Sequence, residues 1–191
     1  MTLPHFLTTI SVVAKNHPKT SQLLSLYLNI LLRTILPLYI FINPLVGIFI
    51  AIITDLIDHE ILVRWQKMSR HLYQLQDKYL DQYWYFLIII FLFINQAPPI
   101  VNIIVISTFL YRIVGQILFV KSKNELYFLI FPNLMEPYFW LYILYPSSFQ
   151  NPKSLLNWTI TILLLKLYQE YYIHISKSSL LNNLLNLKTK K

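Results

Sequence analysis

Cysteine is absent from the 191-residue chain. Disulfides, thiol nucleophiles and thiolate metal sites are therefore excluded, while the compartment is left open. Glycine is scarce, with two in all, and aromatic residues reach 16%. That balance argues against both a disordered chain and a collagen-like one. Charge is scarce too. Charged residues make up 13%, about half of the roughly 25% expected of a soluble domain. With 56% hydrophobic residues and a mean hydropathy of +0.52, composition points to an integral membrane protein formed as one domain over residues 1–191. The opening "MTLPHFLTTISVVAKNHPKTS" has no basic start, and Lys15 follows its apolar part. It is a poor signal peptide. An in-plane amphipathic helix is expected over the juxtamembrane segment 1–20.

Long apolar runs are plentiful. A spanning helix needs roughly 20 mostly apolar residues, which predicts six transmembrane helices at about 22–42, 44–63, 72–95, 100–120, 126–145 and 153–175. "NQAPP" at 95–99 should end the third, because paired prolines cannot continue a helix. "FPNLMEP" should interrupt the fifth. With the N-terminus inside, the inner segments hold Lys15, Lys19, Arg64, Lys67, Arg70, Lys121, Lys123, Lys177, Lys188, Lys190 and Lys191, and the outer loops hold Lys153 alone. This bias predicts an even number of spans, both termini cytoplasmic and a cytoplasmic tail at 176–191. It also accounts for the net charge of +8, so no nucleic-acid partner is expected.

Acid is the rarest charge, and its placement is informative. The four aspartates, Asp55, Asp58, Asp77 and Asp81, all lie at the inner ends of the second and third spans. About ten apolar residues precede Asp55, so it sits about 15 Å into a hydrocarbon core of about 30 Å. Asp77 and Asp81 fall in the same half. Asp55 and Asp58 are spaced i,i+3, and Asp77 and Asp81 are spaced i,i+4, so each pair shares a helix face. The short basic turn "RWQKMSR" makes the two helices antiparallel neighbours. Four clustered carboxylates repel and protonate unless a positive charge joins them. All-oxygen donors suit Mg2+ or Mn2+, and a two-metal site would offset burial and repulsion together. Interfacial charges balanced by Lys67, Arg70 and Lys78 are the plainer account of any single acid.

Other intramembrane polar groups follow the same logic. Arg112, about 13 Å below the surface, suits either a phosphate or a carboxylate such as Glu136. Arg33 and Lys166 suit pairing or snorkelling. Glu136, between two prolines in "FPNLMEPY", lies where a broken helix can line a cavity. His59, four residues after Asp55, suits a metal or a phosphate. The groups "DQYWY" and "YQEYY" read as interfacial belts.

The stretch "DLIDHEILVRWQKMSRHLYQLQDKYLD", Asp55 to Asp81, resembles the CDP-alcohol phosphotransferase signature D-x-x-D-G-x-x-A-R followed by G-x-x-x-D-x-x-x-D. The acids match in order and inner spacing, as do chain size, span count and the motif's place. His59 and Tyr73 stand at the glycine positions and Val63 at the alanine, and the motif is one residue longer. Arg64 is nine residues from Asp55, about 180° around a regular helix, and joins the site only through a bulge or helix end. In the family those glycines let the nucleotide approach the backbone, and His and Tyr fill that space.

The resemblance implies an enzyme of phospholipid biosynthesis in a bacterial cytoplasmic membrane. It would displace CMP from a CDP-linked lipid with a small alcohol, and the resemblance implies a homodimer. It implies that Asp55, Asp58, Asp77 and Asp81 hold metal and that Asp81 acts as general base. Candidate substrate contacts are His59, Arg64, Tyr73, Arg112 and Glu136. A catalytically lapsed relative, serving as a structural or partner protein, is the alternative. A prenyltransferase would need more spans and distant Asp motifs, and a cation transporter would spread its acids along a through-path.

Overall fold

The computed structural model describes residues 20–59 and 70–172, with side chains at 27, 29–55 and 76–172. The chain is all-α, with no strand among the described residues. Among the described residues seven α-helices follow one another: α1 (Thr20–Ile35), α2 (Pro44–His59), α3 (Arg70–Ile94), α4 (Pro99–Ser122), α5 (Leu126–Ile130), α6 (Met135–Leu144) and α7 (Pro152–Glu170). The described residues fall into two compact units, divided between Phe91 and Leu92.

In the first unit, α1 gives way to a 3-10 segment, Leu36–Phe41. Pro37 lacks an N–H, and its ring crowds the carbonyl one turn back, so the α ladder cannot continue through it. The chain then reverses. Asn43 Oδ1 accepts from Val46 N at 3.1 Å and Pro44 occupies the first helical position of α2, a start that needs no donor there. Gly47 lets α2 lie against the 3-10 segment. A Cβ there would stand 2.6 Å from the Ile40 Cα.

The third helix ends before its prolines rather than at them. Gln96 takes a left-handed φ of 48°. Its N–H bonds Phe93 O at 3.2 Å, and Ala97 N bonds Leu92 O at 2.9 Å. This is the Schellman closure of a helix end. Pro99 then opens α4.

In the second unit, α4 turns Val101, Val105, Phe109, Arg112, Gly115, Gln116 and Phe119 inward, a stripe at helical spacing. The predicted fifth span is two helices, α5 and α6, separated by a break at 131–134. Gly115 admits that break: a Cβ there would overlap the Phe131 Cβ. Asn151 caps α7, its Oδ1 accepting from Lys153 N at 3.0 Å and Ser154 N at 3.3 Å.

The six-span expectation needs correction on helix length and polarity. Among the described residues, α4 is the one helix long and apolar enough to cross a membrane, with a mean hydropathy of 2.1 over its best window. The first predicted span is divided by the 3-10 segment. The inner ends of α2 and α3 carry charge, the fifth span is broken, and α7 carries Lys153, Lys166 and Glu170.

Candidate functional site

Three helices of the first unit bring their charges to one place. Asp55 comes from α2, Asp77 and Asp81 from α3, and Arg33 from the last turn of α1. One carboxylate oxygen from each of Asp55, Asp77 and Asp81 lies within 4.8 Å of the others. The acids on α3 are i,i+4, so one face presents both.

Arg33 holds the three acids together. Its Nη1 donates to Asp77 Oδ1 at 2.8 Å, and its Nη2 donates to Asp81 Oδ1 at 3.1 Å. The same Nη2 pairs with Asp55 Oδ1 at 3.0 Å. Lys78 closes the other side, its Nζ donating to Asp77 Oδ2 at 2.7 Å and to Asp81 Oδ2 at 2.9 Å. Both oxygens of Asp77 and of Asp81 thus meet a cation. Burial is uneven: the Arg33, Asp77 and Asp81 side chains are buried or nearly so, whereas Asp55 is 54% exposed. The acids open to the surface along the Asp55 side. Three carboxylates against two cations leave one excess negative charge among these five groups.

The donor set fits a hard divalent cation, being oxygen only and anionic. Occupation has a condition. The ion must take over charge that Arg33 and Lys78 now neutralise, and Lys78 is the group able to withdraw, being half-buried on a flexible stem. Asp58, His59, Arg64 and Tyr73 have side chains outside the described residues.

The remaining candidates belong to the second unit, and their surroundings are of another kind. Arg112 is 2% exposed. Its Nη1 donates to Phe131 O at 2.6 Å and Phe128 O at 3.4 Å, and Tyr111 Oη donates to Ile130 O. These are carbonyls that the helix break would otherwise strand. The Arg112 guanidinium lies 4.7 Å from the Phe128 ring centroid. Its carboxylate partner is Glu170, at 3.3 Å, which also accepts from Asn133 N at 3.3 Å. Arg112 is thus engaged in closing the break between α5 and α6. Glu136 lies in the first turn of α6, where a carboxylate meets the positive end of the helix dipole.

Sequence reasoning treated Arg33 only as a charge to be paired or snorkelled. It is the hub of the acid cluster. The usable signal was that Arg33 is the sole charged residue of its apolar run, which demands a partner of opposite sign at the same depth. Compared with protein-family models, curated proteins and solved structures, the chain gives no match.

Proposed function

We propose that the chain is a membrane-embedded, divalent-cation-dependent transferase that moves a substituted phosphate from a CDP-linked lipid to an alcohol, releasing CMP. The observation that carries this reading is the meeting of Asp55 with Asp77 and Asp81, which follow the order of the motif they resemble and, for Asp77 and Asp81, its inner spacing. A membrane-embedded helical bundle, with both ends cytoplasmic, is the arrangement proposed. Its support is the apolar surface, on which Ile42, Phe93, Ile103, Leu164 and Leu165 are each at least 60% exposed. A water-soluble surface rarely presents apolar side chains on that scale. The hydroxyls of Thr34, Thr54, Thr108, Thr159 and Thr161 each bond a carbonyl of their own helix, as a solvent without hydrogen-bonding groups requires.

In this mechanism Asp55, Asp58, Asp77 and Asp81 would hold the ions. Bound ions supply charge neutralisation for the diphosphate and the departing CMP. Asp81 takes the proton of the acceptor hydroxyl as its oxygen bonds to phosphorus and the bond to CMP breaks. Arg33 positions the carboxylates, and Lys78, once withdrawn from Asp77 and Asp81, offers its ammonium to a phosphate oxygen.

A second reading has its own support: both oxygens of Asp77 and of Asp81 are already met by cations of the chain. On that reading the cluster is a closed ion-pair network in a lapsed, structural relative. CMP release from CDP-diacylglycerol separates the two. The test uses purified protein, Mg2+ or Mn2+, and a pool of glycerol phosphate, inositol phosphate, inositol, serine and choline. Metal-dependent release that disappears in Asp81→Asn is the result expected of the enzyme. No release by folded protein with any acceptor leaves the structural reading.

A further inference from the structure

Lys78 stands at a position that the resembled signature leaves open, yet it reaches two of the acids that the signature fixes. Its Nζ lies 2.7 Å from Asp77 Oδ2 and 2.9 Å from Asp81 Oδ2. Residue order dictates this reach. Lys78 follows Asp77 directly and precedes Asp81 by three residues, so its long stem can turn toward both on α3. The other oxygen of each acid faces Arg33.

The two cations are held differently. Arg33 comes from another helix, its side chain is 7% exposed, and its planar fork meets Asp55, Asp77 and Asp81. Those contacts tie α1 to α2 and α3. Lys78 lies on the same helix as Asp77 and Asp81, so these two contacts join no two elements. Its side chain is 16% exposed, and a flexible stem lets the ammonium swing away without moving a helix. What the contact does is cover, with positive charge, the two carboxylate oxygens that Arg33 leaves.

We propose that Lys78 is a tethered competitor for the divalent ion, an autoinhibitory contact that fills the acid cluster until an ion displaces it. An ammonium and a divalent ion both seek carboxylate oxygens, and like charges repel, so the two cannot share Asp77 Oδ2 and Asp81 Oδ2. With Lys78 in place, three acids face two cations and one negative charge is left over. With it withdrawn, two are left over, and the cluster attracts an ion more strongly. A site competent for only a fraction of the time binds with its affinity reduced by that fraction. The chain gains a threshold: the acids are never bare, and an ion enters only at a concentration that outcompetes the ammonium. The inference rests on the reading of the acid cluster as a divalent-cation site, and its test is a binding measurement that needs no turnover.

Mn2+ binding to the purified full-length protein is read from loss of the free ion's electron paramagnetic resonance signal. Lys78→Met removes the ammonium and keeps an apolar stem. It is expected to bind Mn2+ roughly 10-fold more tightly than the native chain, as for a competitor in place about nine-tenths of the time. Lys78→Arg keeps the charge in a fork that suits carboxylates, and it is expected to bind no more tightly than the native chain. Lys121→Met, which removes an exposed charge near the end of α4, should match the native chain. Lys78→Gln gives the same reading where Lys78→Met fails to fold. Equal or weaker Mn2+ binding by a folded neutral variant, or an equal gain in Lys121→Met, overturns the proposal. Failure of the native chain and the neutral variants alike to bind Mn2+ sinks the metal site and the competitor with it. Tighter binding in Lys78→Met, with no CMP release by the native chain, sinks the transferase and leaves the competitor standing.

Discussion

Each unit buries an arginine, and the two arginines do different work. Arg112 is 2% exposed and directs itself to main-chain carbonyls at a helix break, with one carboxylate, Glu170, beside it. As a pair that cation and that acid balance, and the acid is itself buried. Arg33 directs itself to side chains alone among the partners described above: three acids, the outermost 54% exposed. There acid exceeds base, and one side is open. A balanced pair that satisfies backbone groups is a fastening. An unbalanced cluster with an open side is suited to receiving something from outside the chain.

That contrast can be broken most forcefully at Arg112. Arg112→Met strands Glu170 and the carbonyls of Phe128 and Phe131. Loss of one partner of a buried pair costs about 3–5 kcal/mol, so thermal unfolding should move sharply downward, and added Mg2+ should not restore it. Arg33→Gln should cost a similar amount in chelator, because three carboxylates are left with Lys78 as the remaining cation among the contacts described above. Here Mg2+ or Mn2+ should recover most of the loss, measured as unfolding temperature against metal concentration. Equal insensitivity of both variants to metal would erase the distinction between the clusters.

Smaller effects sharpen it. Gly115→Ala forces a methyl group against Phe131, an overlap typically worth about 1–3 kcal/mol. It should lower stability without changing the metal response of the first unit. Tyr83→Phe removes the hydroxyl that donates to Thr34 O, and about 1 kcal/mol of stability is expected to go with it. Because that bond helps seat α1 beside α3, the metal concentration needed for half-maximal stabilisation should also shift.

Much of this organisation could be read from residue order. Prolines 37, 44, 99 and 152 stand at helix boundaries because each lacks an N–H, and helix starts tolerate what interiors do not. The spacing of Asp77 and Asp81 put both on one face, and both meet Arg33. What could not be read is which distant residue completes a pair. Arg33 and Asp77 are 44 residues apart, and periodicity within α1 or α3 does not encode that contact. Arg112 offers the same lesson, since its contact with Glu170 joins residues far apart in sequence. The span count was over-read for a related reason. Apolar runs were counted as whole membrane crossings, but Pro37 and the break at 131–134 divide two of them. Charge at the inner ends of α2 and α3 shortens the apolar part of two more.

Lys78 has a consequence for how such a chain is made. It lies between Asp77 and Asp81 on one helix and reaches both, so α3 emerges from the ribosome with a counter-ion already attached. The stretch 77–81 bears two acids and one base, so on the membrane reading proposed above it would enter hydrocarbon with half the net charge it would otherwise carry, which lowers the barrier to partitioning. The remaining neutralising charge, Arg33, is synthesised before any of the aspartates. Order of synthesis thus places the receiving cation ahead of the acids it will hold, and no stage of assembly needs all the negative charge to wait for a base made later.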